Sequence, residues 1–117
     1  YGNAIHISLR AAEELAKEGI SCEVIDLRSL APWDKKTVFE SVKKTSRAVV
    51  AHEHYLTGGL GGEIAASISN ELFRYLDAPV ARVASKDTPV GFAKSLESAI
   101  LLNQNDVVNA VRKTIEY

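Results

Sequence analysis

A chain of 117 residues, 46% of them hydrophobic, has room for one packed domain and none for a second. Its 14 lysines and arginines balance 15 aspartates and glutamates to a formal net charge of -1, so it carries no broad electrostatic footprint for nucleic acid or an anionic membrane surface. A single cysteine, Cys22, excludes an internal disulfide, and no apolar run approaches the ~20 residues of a membrane span, so a soluble, reducing compartment is expected.

Asn3 is placed to cap a first helix, in which Ile5, Leu9, Ala12, Leu15 and Ala16 form one apolar stripe and Gly19 supplies a left-handed stop. Residues 22–27 read as a first strand through Val24, Ile25 and Leu27, and residues 29–33 turn the chain. Asp34 then caps a helix carrying Val38, Phe39 and Val42. Residues 47–52 read as a second strand. Its centre, Ala48-Val49-Val50-Ala51, is apolar without alternation, as in a parallel strand covered on both faces. A third helix is expected from about Gly61 to Leu76, with Ile64, Ala65, Ile68, Leu72, Tyr75 and Leu76 inward. Residues 80–84, entered through Pro79, make a third strand, and 86–94 form a loop marked by Pro89 and Gly91. Asn105 is placed to cap a last helix through Val107, Val108, Val111 and Ile115. Strands alternating with helices pair in parallel through right-handed crossovers, which predicts an α/β, three-layer αβα sandwich with a mainly parallel sheet. The whole span 1–117 forms one domain, and three strands make a narrow sheet.

Few residues suggest chemistry. The turn Gly58-Gly59-Leu60-Gly61-Gly62 joins a strand to a helix and could offer amides to a phosphate. However, Ile64 stands where a dinucleotide fingerprint needs its third glycine, and the lysine of a phosphate-binding loop is missing. Tight turning or close packing is the better reading, with an autonomous anion-binding module as the rival. His52 and His54 point the same way from an extended strand but lack a third metal ligand. A positional role at the strand end suits His52 and Glu53, as hydrogen-bonding groups at a subunit or domain boundary. Cys22 reads as a core thiol, and Asp26 and Arg28 as a structural pair. No residue is assigned as catalytic, cofactor-binding or metal-binding.

Five blocks in order carry a resemblance: Val24-Ile25-Asp26-Leu27-Arg28; Pro32 with Asp34; Thr57-Gly58-Gly59 with Gly61 and Glu63; Leu76-Asp77-Ala78-Pro79; and Asp87-Thr88-Pro89. Together they resemble the C-terminal domain of the transketolase superfamily, in particular the β subunit of thiamine diphosphate-dependent 2-oxoacid dehydrogenases. Pro32-Trp33-Asp34 and His52-Glu53 lean toward the branched-chain over the pyruvate type. Other thiamine enzymes, transketolase and 1-deoxyxylulose phosphate synthase, share the domain.

The resemblance implies a first strand ahead of Tyr1-Gly2, making the chain part of a larger protein. It also implies thiamine diphosphate and Mg bound by other domains of the intact enzyme, which decarboxylates a 2-oxoacid and passes the acyl group to lipoyl-lysine. This domain alone is then inactive. Its partners would be an α subunit, a second β subunit, and the subunit-binding domain of the dihydrolipoyl acyltransferase, gripped through Asp77 and the Tyr117 carboxylate. Asp77, read at a helix end where it opposes the dipole, would meet a basic partner there. His52, Glu53, Gly58, Gly59 and Glu63 are interface or supporting candidates. The compartment would be bacterial or archaeal cytoplasm, or the mitochondrial matrix.

Overall fold

A computed structural model describes residues 4–27, 32–55, 60–85 and 102–117, with the side chains of 53–55 and 85 outside the description. The expected cap at Asn3, most of the 29–33 turn and the 86–94 loop fall outside it.

Helix α1, Ala4–Ala16, buries Ala4, Ile7, Ala11 and Leu15. The expected stripe was rotated from this one, and Leu9 is 47% exposed. The physical reason is that α1 packs on the last helix and on the sheet, and small residues at such contacts let backbones approach closely. Gly19 ends α1 as expected, at φ +81°. Its N–H donates to Ala16 O at 3.1 Å while Ile20 N–H donates to Leu15 O at 3.0 Å, the paired bonds of a Schellman motif.

Residues 22–27 form no strand ladder, contrary to expectation. Their side chains still straddle the layer as a strand's would: Ile20 and Cys22 pack into one core cluster, Ile25 and Leu27 into the other. A cleft is lined by this run on one side and by residues 48–51 on the other.

Helix α2, Lys35–Thr45, is capped by Asp34 as expected. Thr37 N–H donates to Asp34 Oδ1 at 3.1 Å and the Thr37 hydroxyl to Oδ2 at 2.6 Å. These two bonds hold the Asp34 carboxyl below its ordinary value. A depressed acid stabilises the fold above the unfolded-state value of about 3.9 and loses that contribution as pH falls through the folded-state value. Ser46 closes α2 in the left-handed region, φ 64°, donating its N–H to Val42 O at 2.7 Å. A side chain pays strain there that glycine does not, so Ser46→Gly is expected to stabilise the chain by about 0.5–1 kcal/mol, read as a raised denaturation midpoint with an unchanged slope.

Strands β1, Val49–Tyr55, and β2, Ala81–Ser85, pair in parallel, with Val49 opposite Ala81, Val50 opposite Arg82 and Ala51 opposite Val83. Between them runs α3, Leu60–Glu71, followed by a 3-10 turn at Phe73–Tyr75. The expected helix to Leu76 therefore stops early. Leu72 is the last buried residue of the helical run, 3% exposed, and Leu76 beyond the turn packs partly on the same core as expected, whereas Phe73 is 78% exposed and Tyr75 lies outward beneath Lys43 Nζ, 5.3 Å from its ring centre. Without an apolar face to bury, further helical turns gain no packing energy.

Helix α4, Gln104–Ile115, starts two residues earlier than expected. Asn103, not Asn105, is its cap: Asp106 N–H donates to Asn103 Oδ1, and Asn103 N–H to Asp106 Oδ2, each at 3.0 Å. The spacing of three residues between cap and acid makes this reciprocal box possible, and Asn105 has no such partner position.

Helices α1 and α4 cover one sheet face with Val49, Ala51 and Val83, while α2 and α3 cover the other with Ala48, Val50 and Val80. The three-layer α/β sandwich and the doubly covered strand at 48–51 stand as expected.

Candidate functional site

Alternation along β1 sends positions 48, 50 and 52 toward α2 and α3. His52, continuing that row, is completely buried. Above it passes α3 at Gly61: a Cβ there would overlap Nε2 and Cδ2 of the His52 ring and stand 3.4 Å from Val50 Cγ1. Gly61 thus permits a helix to lie directly on a buried imidazole. His52 therefore exposes no surface within this domain. The signal was present in the sequence, because the period of two from Ala48 puts His52 inward and only a glycine opposite leaves room for it.

Among the other candidates, Glu63 is exposed in the first turn of α3, where its charge complements the helix dipole. The same carboxylate opposes a phosphate at that helix end. Gly62 abuts Arg82, whose Nη1 would stand 3.0 Å from a Cβ there. Gly58, Gly59 and the Glu53 side chain lie outside the described residues. Among the described residues no group of three or more His, Cys, Asp or Glu side chains is placed to hold a metal ion. Cys22 is half-buried beside the apolar cleft, and burial pushes its thiol up, away from the reactive thiolate.

Asp77 lies beyond α3 and the 3-10 turn, after an extended Leu76 (φ −88°, ψ 133°). The expected opposition to a helix dipole does not apply to it, because the helix has already ended at Glu71. What fixes Asp77 is its N–H, which donates to Ser46 O at 2.8 Å. Its Oδ2 lies 3.7 Å from Arg47 Nη1, and its side chain stays 61% exposed. Arg47 Nε donates in turn to Thr114 O, at 3.0 Å, in the last turn of α4. One arginine therefore draws Asp77 and the end of α4, with its exposed Tyr117, to the same end of the domain. Sequence reading missed Arg47. Its position directly after the α2 stop was visible, but its two partners are distant in sequence.

The family model for the transketolase C-terminal domain matches residues 1–107. The chain is 44% identical over 113 residues to the pyruvate dehydrogenase E1 component subunit beta of Rickettsia felis, covering 97% of this chain and 35% of that protein. It is also 44% identical over 117 residues to its counterpart in Bacillus subtilis, covering 100% of this chain and 36% of that protein. The same identity over 117 residues holds for the mitochondrial 2-oxoisovalerate dehydrogenase subunit beta 2 of Arabidopsis thaliana, covering 100% of this chain and 32% of that protein. The chain spans about a third of the length of these curated relatives. No described helix is long and apolar enough to cross a membrane.

Proposed function

We propose that this chain, which belongs to the transketolase C-terminal domain family, is the C-terminal domain of the β subunit of a thiamine diphosphate-dependent 2-oxoacid dehydrogenase. The observation that carries the reading is similarity running over nearly the whole chain to β subunits of both the pyruvate and the 2-oxoisovalerate enzyme. The whole enzyme decarboxylates a 2-oxoacid and transfers the acyl group to lipoyl-lysine, in the bacterial or archaeal cytoplasm or the mitochondrial matrix.

The described residues do not fit the cofactor. The apolar cleft presents no array of cations for a diphosphate, and the first turn of α3 carries Glu63 where an anion would sit. In this reading the domain carries no chemical step, and thiamine diphosphate and Mg belong with other domains, where the cofactor supplies the carbanion stabilisation. The share of this domain is assembly: contacts with an α subunit and a second β subunit, and docking of the acyltransferase's subunit-binding domain.

Docking is supported by the end of the domain that Arg47 organises. Asp77 is held by its backbone, yet more than half its side chain remains exposed, and its long ion pair with Arg47 leaves acceptor positions for a second cation. Exposed Phe73 and Tyr117 add aromatic surface of the kind interfaces use. Titrating thiamine diphosphate with Mg into the isolated chain by calorimetry tests the division of labour. No heat of binding is expected up to millimolar cofactor, and micromolar affinity would contradict it.

A further inference from the structure

We propose that Arg47, although itself a cation, favours the docking of a basic partner: it is a positioning residue that sets Asp77 and the last turn of α4 in the geometry the partner's cation meets. The inference rests on the docking reading above and adds to it a residue that acts through Asp77 and α4.

The stop of α2 fixes where Arg47 stands. Ser46 reverses the chain at φ 64°, and the Thr45 hydroxyl lies 2.9 Å from Ser41 O and 3.2 Å from Arg47 O, holding the main chain on either side of the reversal. Ser46 O, next to Arg47, accepts the Asp77 N–H at 2.8 Å. Arg47 and Asp77 are thus neighbours through the main chain before their side chains meet.

The Arg47 side chain serves a helix end that lacks a stop of its own. Helix α1 closes on left-handed Gly19 and α2 on left-handed Ser46, but α4 runs out through Glu116 at φ −70°, ψ −15°, still right-handed. The last carbonyls of a helix need donors from outside it. Arg47 Nε supplies one to Thr114 O at 3.0 Å and brings a cation to the negative end of the helix dipole. Thr114 is only 4% exposed, which shields that bond from water. The guanidinium is a rigid plane, so fixing Nε on Thr114 O also fixes the direction of Nη1, which faces Asp77 Oδ2 at 3.7 Å. A lysine ammonium has no such fork.

Two effects of Arg47 on a basic partner oppose each other. Its charge repels the incoming cation, yet that charge already faces the Asp77 carboxylate and a C-terminal dipole worth about half an elementary charge, and its side chain is only 32% exposed. Its positioning restrains the more exposed Asp77 side chain, so part of the ordering that binding requires is in place before the partner arrives. The contact is long enough that the carboxylate keeps acceptor positions for the partner. Positioning outweighs repulsion, and removing Arg47 weakens docking although it makes the site more negative.

The test is titration of the acyltransferase's subunit-binding domain onto the full-length β subunit as wild type, Arg47→Gln, Arg47→Lys, Asp77→Asn and the double variant of Arg47→Gln with Asp77→Asn, each shown to be folded by circular dichroism. Arg47→Gln and Arg47→Lys are both expected to bind about 10-fold more weakly than wild type, because lysine keeps the charge but does not span both partners. In the Asp77→Asn background, Arg47→Gln is expected to cost at most about threefold, since the carboxylate it positions is gone. A residue that only stabilised the fold would leave the affinity of the folded protein unchanged and show no such coupling. Should Arg47→Gln not fold, Arg47→Lys, which keeps the charge and an aliphatic stem, decides alone. Unchanged or tighter binding by the folded Arg47 variants, with Asp77→Asn weakened, overturns this proposal and leaves the docking reading standing. Wild-type affinity in Asp77→Asn overturns the docking reading and this proposal with it.

Discussion

Gly61→Ala is expected to destabilise the domain by about 2 kcal/mol, even though alanine is intrinsically the better helix former by nearly 1 kcal/mol. The added methyl would occupy the space of the His52 ring, which is completely buried with the α3 backbone directly over it. Interiors are close-packed, so either the helix lifts from β1 or the imidazole leaves its place. His52→Ala alone should also destabilise, by leaving a cavity. The double variant should lose clearly less than the two single losses added, because the new methyl enters the space the ring vacated. Urea denaturation of the four proteins measures this, and additive losses would contradict direct packing of Gly61 on His52.

Asp77→Asn is expected to weaken docking of the acyltransferase's subunit-binding domain by at least ~30-fold, about 2 kcal/mol, while barely changing folding. The contrast comes from exposure. Within the free domain, Asp77 makes only a long, exposed pair with Arg47, and such pairs contribute about 0–1 kcal/mol. At an interface the same carboxylate loses water and gains charged donors, while its removal leaves Arg47 and the partner cation facing each other. Titrations onto the full-length β subunit at two salt concentrations separate these effects. The wild type should bind more weakly at high salt, and Asp77→Asn should show a shallower dependence. Equal affinities at both would move the docking surface elsewhere.

How far these features were legible in the chain depends on whether their cause is local. The Asp34 cap, the Gly19 stop and the two-faced run 48–51 were readable because each follows from a residue and its near neighbours. Asn103 was missed in favour of Asn105 although its reciprocal partner, Asp106, stands at the required spacing. The burial stripe of α1 differs from the bulkiest apolar stripe because a close helix contact selects small residues such as Ala4 and Ala11. Arg47 could not be found at all, since its partners Asp77 and Thr114 meet it only through the fold. Among the expected site residues, the structure brings Asp77 and the end of α4 together, buries His52, and leaves Glu63 exposed on α3.

The assignment of this chain to assembly rather than chemistry is tested most directly by 2-oxoacid-dependent acyl transfer to a lipoyl domain, measured with thiamine diphosphate and Mg. The full-length β polypeptide combined with its α subunit should turn over branched-chain 2-oxoacids or pyruvate, whereas residues 1–117, with or without the α subunit, should give no rate above background. Turnover by residues 1–117, or a full-length pair inactive on every 2-oxoacid but active in ketol transfer between sugar phosphates, would contradict it.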